Sequence, residues 1–466
     1  MKRAMTLCLL TALALSLPLG SIAGEKVPHS EHVLAHELLK QMIGTDTTSG
    51  HGSTTGLAEQ LAQRFLKAGF PKADVQVVGD DPLRRNLVVR LRGRGLRQPI
   101  LLMGHLDVVP ARREDWHFDP FKLTEKDGYY YGRGTMDIKG ADAGLIATLL
   151  RFHREGFNPR GDYILALTAG EEDDISNGIV WLLKHRPDLI KAEYALNVDG
   201  GGPEIRNGRP EVVAVETAEK VYASYTLTVR NKGGHSSLPQ PDNAIYRLAA
   251  GLMRLSRLEF PLHTNSATRG YYARLATLYK GQMAADMRAV AHDPSDPAAV
   301  KRLAASSPYN NAHLRTTCVP TLLTGGDAEN ALPQMARATV NCRIMPDEPP
   351  AQVEAKIKQA LNDPQIVVAP VAPAPTSPPS PINKALFTHI GATAMAVWGH
   401  SMPISPYMSA GASDSVFLRA AGMPSYVFNG IAYDVNDDRS HGQDERILVK
   451  SYYQSLAFNY VLLKSL

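Results

Sequence analysis

Between residues 86 and 198 the chain alternates short, almost wholly apolar runs with helical patterns, and this alternation constrains the fold more than any other feature. The runs cover 86–91, 99–103, 163–168 and 194–198, and the helical stretches cover 141–155 and 175–185. A strand that is apolar on both faces must be covered on both faces. Such strands, interleaved with helices, predict an α/β domain around a largely parallel, buried sheet. Upstream, Leu57, Leu61, Phe65 and Ala68 recur at helical spacing, with Gly69 as a C-cap. Polar clusters follow directly after the strands: His105-Leu106-Asp107, Glu171-Glu172 and Asp199. Open α/β sheets bind ligands at the carboxyl ends of their strands, so these clusters are site candidates.

From about Ala218 the pattern changes. Strands are expected at 222–229, 319–324, 336–344 and 365–368, and helices at 244–255 and 352–361, with a weaker helical stretch over 271–305. That order, βαββαβ, fits a small separate α+β domain. Six prolines between Pro370 and Pro381 read as a linker. The expected organisation is a catalytic domain in two parts, 24–217 and 373–466, with a smaller lid or dimerisation domain inserted at 218–372.

Residues 1–23 read as a signal peptide: Lys2 and Arg3, an apolar run over 6–20, and a Ser21-Ile22-Ala23 cleavage pattern. An uncleaved anchor is the alternative, but the run is short for a span. The expected location is therefore across the inner membrane, periplasmic or extracellular, with no stable membrane insertion. Lys+Arg 50 against Asp+Glu 46 is too balanced to point to nucleic acid. Three cysteines exclude a disulfide scaffold or a cysteine-based zinc ribbon, and cleavage would remove Cys8.

Several clusters could carry chemistry. His105 could ligate a metal with Asp107 fixing its ring, or be a structural histidine. The glycines in Gly132-Arg133-Gly134 lack the spacing of a dinucleotide loop and more plausibly bring Asp137 close to a metal. Glu171 to Asp174 is either a solvated acidic helix start or a ligand beside a proton-transfer group. Asp199 and His441 complete the set. Carboxylates and imidazoles without a thiolate suit zinc, cobalt or manganese, and five ligands suffice for two ions if one bridges. No Gly-x-Ser-x-Gly elbow supports a serine hydrolase.

Taken together, these pieces resemble the M20 family of metallopeptidases. The matching segments are Gly104-His105-Leu106-Asp107-Val108-Val109-Pro110, Tyr131 to Lys139, Glu171-Glu172, Asp199 and His441-Gly442-Gln443-Asp444-Glu445. Gly233-Gly234-His235-Ser236-Ser237 and Asn330-Ala331-Leu332-Pro333 through Arg343 match its smaller domain. Trp116 and Asp119-Pro120-Phe121 are most similar to the branch with Gly-X carboxypeptidase and secreted N-acyl-amino-acid hydrolases. Two departures are Gly170, where an Asp is frequent, and Gly411-Ala412-Ser413-Asp414 for the usual Gly-Gly-Thr-Asp. The first leaves open a register in which Glu172 and Asp173 act as base and ligand.

The resemblance implies two zinc ions, replaceable by cobalt or manganese. His105, Asp137 and Asp199 would bind one ion, and Asp137, Glu172 and His441 the other, with Asp137 bridging. It implies Glu171 as general base towards a metal-bridged water, Asp107 as the residue orienting His105, and a cis Asp137–Ile138 peptide. His235 would stabilise the oxyanion, and in dimeric relatives the equivalent histidine comes from the partner subunit. Arg343 would take a substrate carboxylate, or else be a surface strand residue, with Asn330 and Ser413 assisting. Closure of one domain on the other would complete the site. The expected activity is amide hydrolysis beside a free carboxylate, as in a carboxypeptidase or dipeptidase. Alternatives are an N-acyl-amino-acid amidohydrolase or deacetylase, and a non-catalytic binding protein. A homodimer through the smaller domain is expected.

One further expectation concerns Cys318 and Cys342. A hairpin with Thr324 opposite Ala336 would also pair these two, giving either a disulfide or two buried thiols.

Overall fold

The computed structural model describes residues 27–48, 50–172, 176–206, 208–292 and 296–466. The expected export segment 1–23, Asp173 and Asp174, and the start of the expected helix at 175 lie outside the described residues. No helix among the described residues is long and apolar enough to cross a membrane.

Among the described residues the larger sheet has ten strands. Its centre is parallel: Tyr163–Thr168, Ile100–His105, Tyr194–Asn197 and Ser425–Val427 lie side by side. Antiparallel strands flank that centre, with Val75–Val78 and Asn86–Leu91 on one side and Arg209–Glu219 and Gly202–Arg206 on the other. Every residue of Tyr163–Thr168 is buried, and its side chains divide between two cores. Tyr163, Leu165 and Leu167 pack beneath helices Thr54–Lys67, Lys139–Arg154 and Val449–Ser465. Ile164 and Ala166 pack on the opposite side against helix Gly178–His185. Each such side chain contributes about 1.5–3 kcal/mol when fully buried, which is why both layers are needed. The unbroken apolar runs predicted this two-faced burial.

The smaller sheet is antiparallel, in the order Thr317–Gly325, Met335–Ile344, Val221–Arg230, Val367–Pro370. Here the strands alternate. Val221, Ala223, Tyr225, Leu227 and Val229 enter one core under helices Ala244–Leu255 and Pro350–Leu361, and the residues between them face outward. Asn243 starts the first of these helices by accepting from the amides of Ile245 and Tyr246. The βαββαβ order is as expected.

Two parts of the chain depart from the expectation. Strands Arg209–Glu219 and Ile404–Ser409 carry buried polar residues, including Glu216, Thr217, Glu219 and Ser405, which break the apolar pattern by which strands are recognised. The weak helical stretch is four helices, Ser266–Leu275, Gly281–His292, Pro297–Ser306 and Pro308–His313, with a core of their own. They dock on strand Ile404–Ser409 of the larger sheet through Tyr407, although the chain reaches them from the smaller domain.

Cys318 and Cys342 are cross-strand partners and form a disulfide. The expected register is off by one at the turn: Gly325, not Thr324, lies opposite Ala336. A bulge between Pro320 and Leu322 absorbs the extra residue and restores the cysteine pairing.

Candidate metal centre and active site

The predicted ligands converge where the central strands end. His105 is the last residue of strand Ile100–His105, while Asp199 and the Glu171-Glu172 pair lie just beyond Tyr194–Asn197 and Tyr163–Thr168. Asp137 comes from the turn before helix Lys139–Arg154, with a cis Asp137–Ile138 peptide, and His441 from a late loop at φ 62°. Gly104 lets this region close up, because a Cβ there would lie 1.9 Å from Asp142 Oδ1.

His105 Nε2 lies 3.2 Å from Asp137 Oδ1 and 3.7 Å from Asp199 Oδ1. His441 Nε2 lies 3.0 Å from both Asp137 Oδ2 and Glu172 Oε2. Two groups of candidate metal-holding residues result, His105–Asp137–Asp199 and Asp137–Glu172–His441, each with ligand atoms within 4.8 Å of one another. Asp137 belongs to both and turns one oxygen towards each imidazole. A third grouping joins His105 to Glu171 and Glu172.

The donor set fits divalent cations. His105 Nδ1 lies 3.0 Å from the backbone oxygen of Asp107, so its proton belongs on Nδ1. Nε2 then presents a lone pair to two carboxylate oxygens, an arrangement that needs a proton or a cation between acceptors. Burial opposes a charge on His105, yet hydrogen bonds with Asp137 and Asp199 push its pKa well above the ordinary value. His441 is pushed up to about 10 by Asp137 and Glu172. Burial raises Asp199 to about 7, and raises Glu171 well above its usual range with help from Asp199 and Asp414. Burial would also raise Asp137, but hydrogen bonds from both imidazoles hold it low. Crowded like charges of this kind are relieved by bound cations, and the absence of thiolate suits zinc, cobalt or manganese.

Other groups hold the ligands in place. Asp107 acts twice, since its carbonyl meets His105 and its Oδ2 accepts from the amide of Glu172 at 2.9 Å. Glu445 is fully buried beneath the Asp137 turn. Its Oε1 accepts from the amides of Met136 and Asp137, and its Oε2 from the Gly134 amide and from Arg133 Nη1 at 2.6 Å. Asp414 accepts from Thr168 and Asn177, and burial raises it to about 6. Lys139 Nζ, also buried, donates to the carbonyls of Met42 and Thr45 at the end of helix His29–Ile43. Sequence reasoning assigned no role to Glu445, Asp414 or Lys139. The signal was their membership of the quoted motif segments, without any strand end of their own.

A cavity of about 1070 Å³ opens over Asp137, Glu171, Glu172, Asp199 and His441. Its far wall is the smaller domain, with Arg343, Tyr222 and Ser224, and part of its rim is Val371 to Pro375 from the proline-rich crossing. Arg343 lies over the Tyr222 ring at 4.5 Å. Ser413 lines the cavity, but its hydroxyl donates to Glu219 and accepts from the Ser415 amide. His235 and Asn330 do not line the cavity. They are exposed together on a short ribbon, Gly234–His235 paired with Ala331–Leu332.

Known proteins resemble this chain in sequence and in fold. The chain is 29% identical over 458 residues to the human N-fatty-acyl-amino acid synthase/hydrolase PM20D1, covering 93% of this chain and 88% of that protein. It is 26% identical over 424 residues to a "probable carboxypeptidase S-like 2" of Dictyostelium discoideum, covering 86% and 78%. The fold matches the M20 family metallo-carboxypeptidase Sso-CP2 of Sulfolobus solfataricus with a TM-score of 0.67 at 18% identity, over 92% of this chain and 98% of that one. Human carnosine dipeptidase 1 matches with a TM-score of 0.67 at 16% identity, over 94% and 97%. Residues 101–465 match the model of peptidase family M20/M25/M40, and the chain belongs to that family.

Proposed function

We propose that this hydrolase cleaves an amide whose nitrogen belongs to an amino acid with a free carboxylate, as in a carboxypeptidase or dipeptidase. The observation that carries the reading is that Arg343, Glu171 and members of both candidate ligand groups, Asp137, Asp199, Glu172 and His441, line one cavity. A guanidinium offers paired donors to a carboxylate, so Arg343 would hold that end of the substrate. An N-acyl amino acid presents the same amide and the same carboxylate. The similarity to PM20D1 over 93% of this chain favours including that class.

His105, Asp137 and Asp199 would hold one zinc ion, and Asp137, Glu172 and His441 the other, with cobalt or manganese as substitutes. When bound, such ions lower the pKa of a water and polarise a carbonyl. Glu171 takes the proton from the attacking water and returns it to the leaving nitrogen. The cavity contains no His235, so we assign the oxyanion contact to His235 of a second copy, with Asn330 beside it. The exposed side chains of Val319, Leu322 and Leu323 on the outer strand of the smaller sheet support pairing there. We also propose export, with residues 1–23 removed, on the pattern of the first residues.

Chelation should abolish activity on C-terminal dipeptides and N-acyl amino acids, and zinc or cobalt should restore it. Glu171→Gln should keep two metals per chain and lose kcat by about 10²–10⁴. Full turnover in excess chelator would sink the metal reading, and near-normal turnover of Glu171→Gln would move the base elsewhere. A binding protein without catalysis would hold ligand and show no turnover in any metal. Intact mass of the exported protein tests cleavage.

A further inference from the structure

The smaller domain is joined to the larger one by more than a hinge. The chain passes directly between the two sheets at Lys220, and again from Pro370 to Ser380. Two further passages run through the four-helix insert. Leu258 and Phe260 belong to the smaller core, whereas Leu262 and Leu314 belong to the insert. These passages are tied to one another. The His263 amide donates to the Leu314 carbonyl at 2.9 Å, and Lys220 Nζ, buried, donates to the Arg315 carbonyl at 2.7 Å. The Lys220 amide donates to Ser409 of the larger sheet.

The insert is also seated firmly on the larger sheet. Ala218 and Met408 from that sheet, Ala267 from the insert and Met345 from the smaller domain form one buried cluster. Gly270 lies so close to strand Ile404–Ser409 that a Cβ would sit 2.4 Å from Pro406 Cγ. The next residue of the strand, Tyr407, packs on Tyr271 and His313 of the insert and lines the substrate cavity. Two adjacent crossings permit rotation about the line joining them. Further crossings anchored away from that line oppose it, because any rotation must break the packed cluster.

We propose that the insert, residues 266–313, is a positioning element for catalysis: it locks the smaller domain in place, so that Arg343 faces Glu171 without domain closure. This deepens the reading of Arg343 given above, and it replaces the expected closure of one domain on the other. Gly270 and Ala267 are its positioning residues, acting through Pro406, Tyr407 and Met408.

The test is a distance measurement on the mature full-length chain, with spin labels at Lys358→Cys on the smaller domain and Leu96→Cys on the larger. It needs no turnover, and binding of the added inhibitor is checked separately by calorimetry, so a failed substrate reading is distinguished from a failed lock. The expected result is one narrow intrachain distance, changing by under about 3 Å when zinc and a dipeptide phosphinate are added. Two populations, or a shift of about 10 Å or more, would overturn the proposal. Gly270→Ala should broaden the distance and raise KM about tenfold, with kcat changed by less than about threefold and metal content unchanged. Adding Pro406→Ala removes the obstructing Cγ and should restore both. A Gly270→Ala variant with an unchanged distance and KM would show that the insert does not set Arg343. Should that variant fail to fold, the labelled Gly270 protein still decides.

Discussion

The two sheets hold their chemistry in different ways. In the larger domain the candidate ligands lie at or beyond strand ends, on the Asp137 turn and on a late loop, and buried groups such as Asp107 and Glu445 hold the backbone at Glu172 and at the Asp137 turn. In the smaller sheet Arg343 stands on the outward face of an alternating strand and meets the Tyr222 ring across the cavity wall. The first arrangement suits cation binding, which needs its donors held to within about 0.5 Å. The second places a long side chain where it can adapt to a substrate. Substitutions of the candidate ligands should therefore act on metal content and kcat, and those of Arg343 and the disulfide on KM and local stability.

The comparison breaks most visibly at Asp137. Asp137→Ala removes an oxygen from both ligand groups, so metal content should fall well below two per chain and kcat/KM by about 10⁴ or more, read by metal analysis and steady-state kinetics. A variant with two metals and high activity would refute the shared role. Next is the disulfide of the smaller domain, which closes a separation of 24 residues. Cys318→Ser with Cys342→Ser should lower the stability of that domain by about 2–4 kcal/mol in a denaturant titration and leave metal content unchanged. Thiol titration of the denatured, unreduced mature chain should find neither cysteine free.

Arg343→Ala should raise KM by about 10–100-fold for substrates with a free carboxylate and alter kcat less, with Arg343→Lys recovering only part. Equal activity of wild type and variant on a substrate with a free carboxylate would remove Arg343 from recognition. The smallest effect is expected in the insert. Burial depresses His313 to about 4, below its ordinary 6.5. The unfolded chain therefore binds more protons between those values. Stability from the neutral ring is fully present above pH 6.5 and is lost as the pH falls towards 4, by roughly 1–3 kcal/mol. Thermal unfolding of wild type should show this acid loss, and His313→Gln should lessen it. An identical pH slope in both would assign the loss to other groups.

Four of the five candidate ligands, His105, Asp137, Glu172 and Asp199, were legible because each follows an apolar strand or a glycine turn, whereas His441 was found through the resemblance of its segment to the family. Partners distant in the chain were not legible. Arg419 reaches Glu219 at 2.7 Å inside the core, and Glu445 reaches the Asp137 turn, but no short window contains either pair. The polar residues of strands Arg209–Glu219 and Ile404–Ser409 hid those strands for the same reason: their burial is balanced by groups elsewhere in the fold. Composition read residues 370–381 as a linker, and they do cross between domains, yet Val371 to Pro375 also form cavity wall. The cysteine pairing was reached from a turn register off by one, which only the bulge reconciles.

By itself the sequence determined the α/β layering, the βαββαβ order of the smaller domain, and which side chains could serve as ligands. These follow from periodicity and from chemistry carried by single residues. Only the tertiary structure decided that Asp137 turns one oxygen to each imidazole, that His235 and Asn330 stay outside their own chain's cavity, and that the insert sits on the larger sheet. Those outcomes depend on packing between segments far apart in the chain, where the free energy of contact is not written in any local pattern.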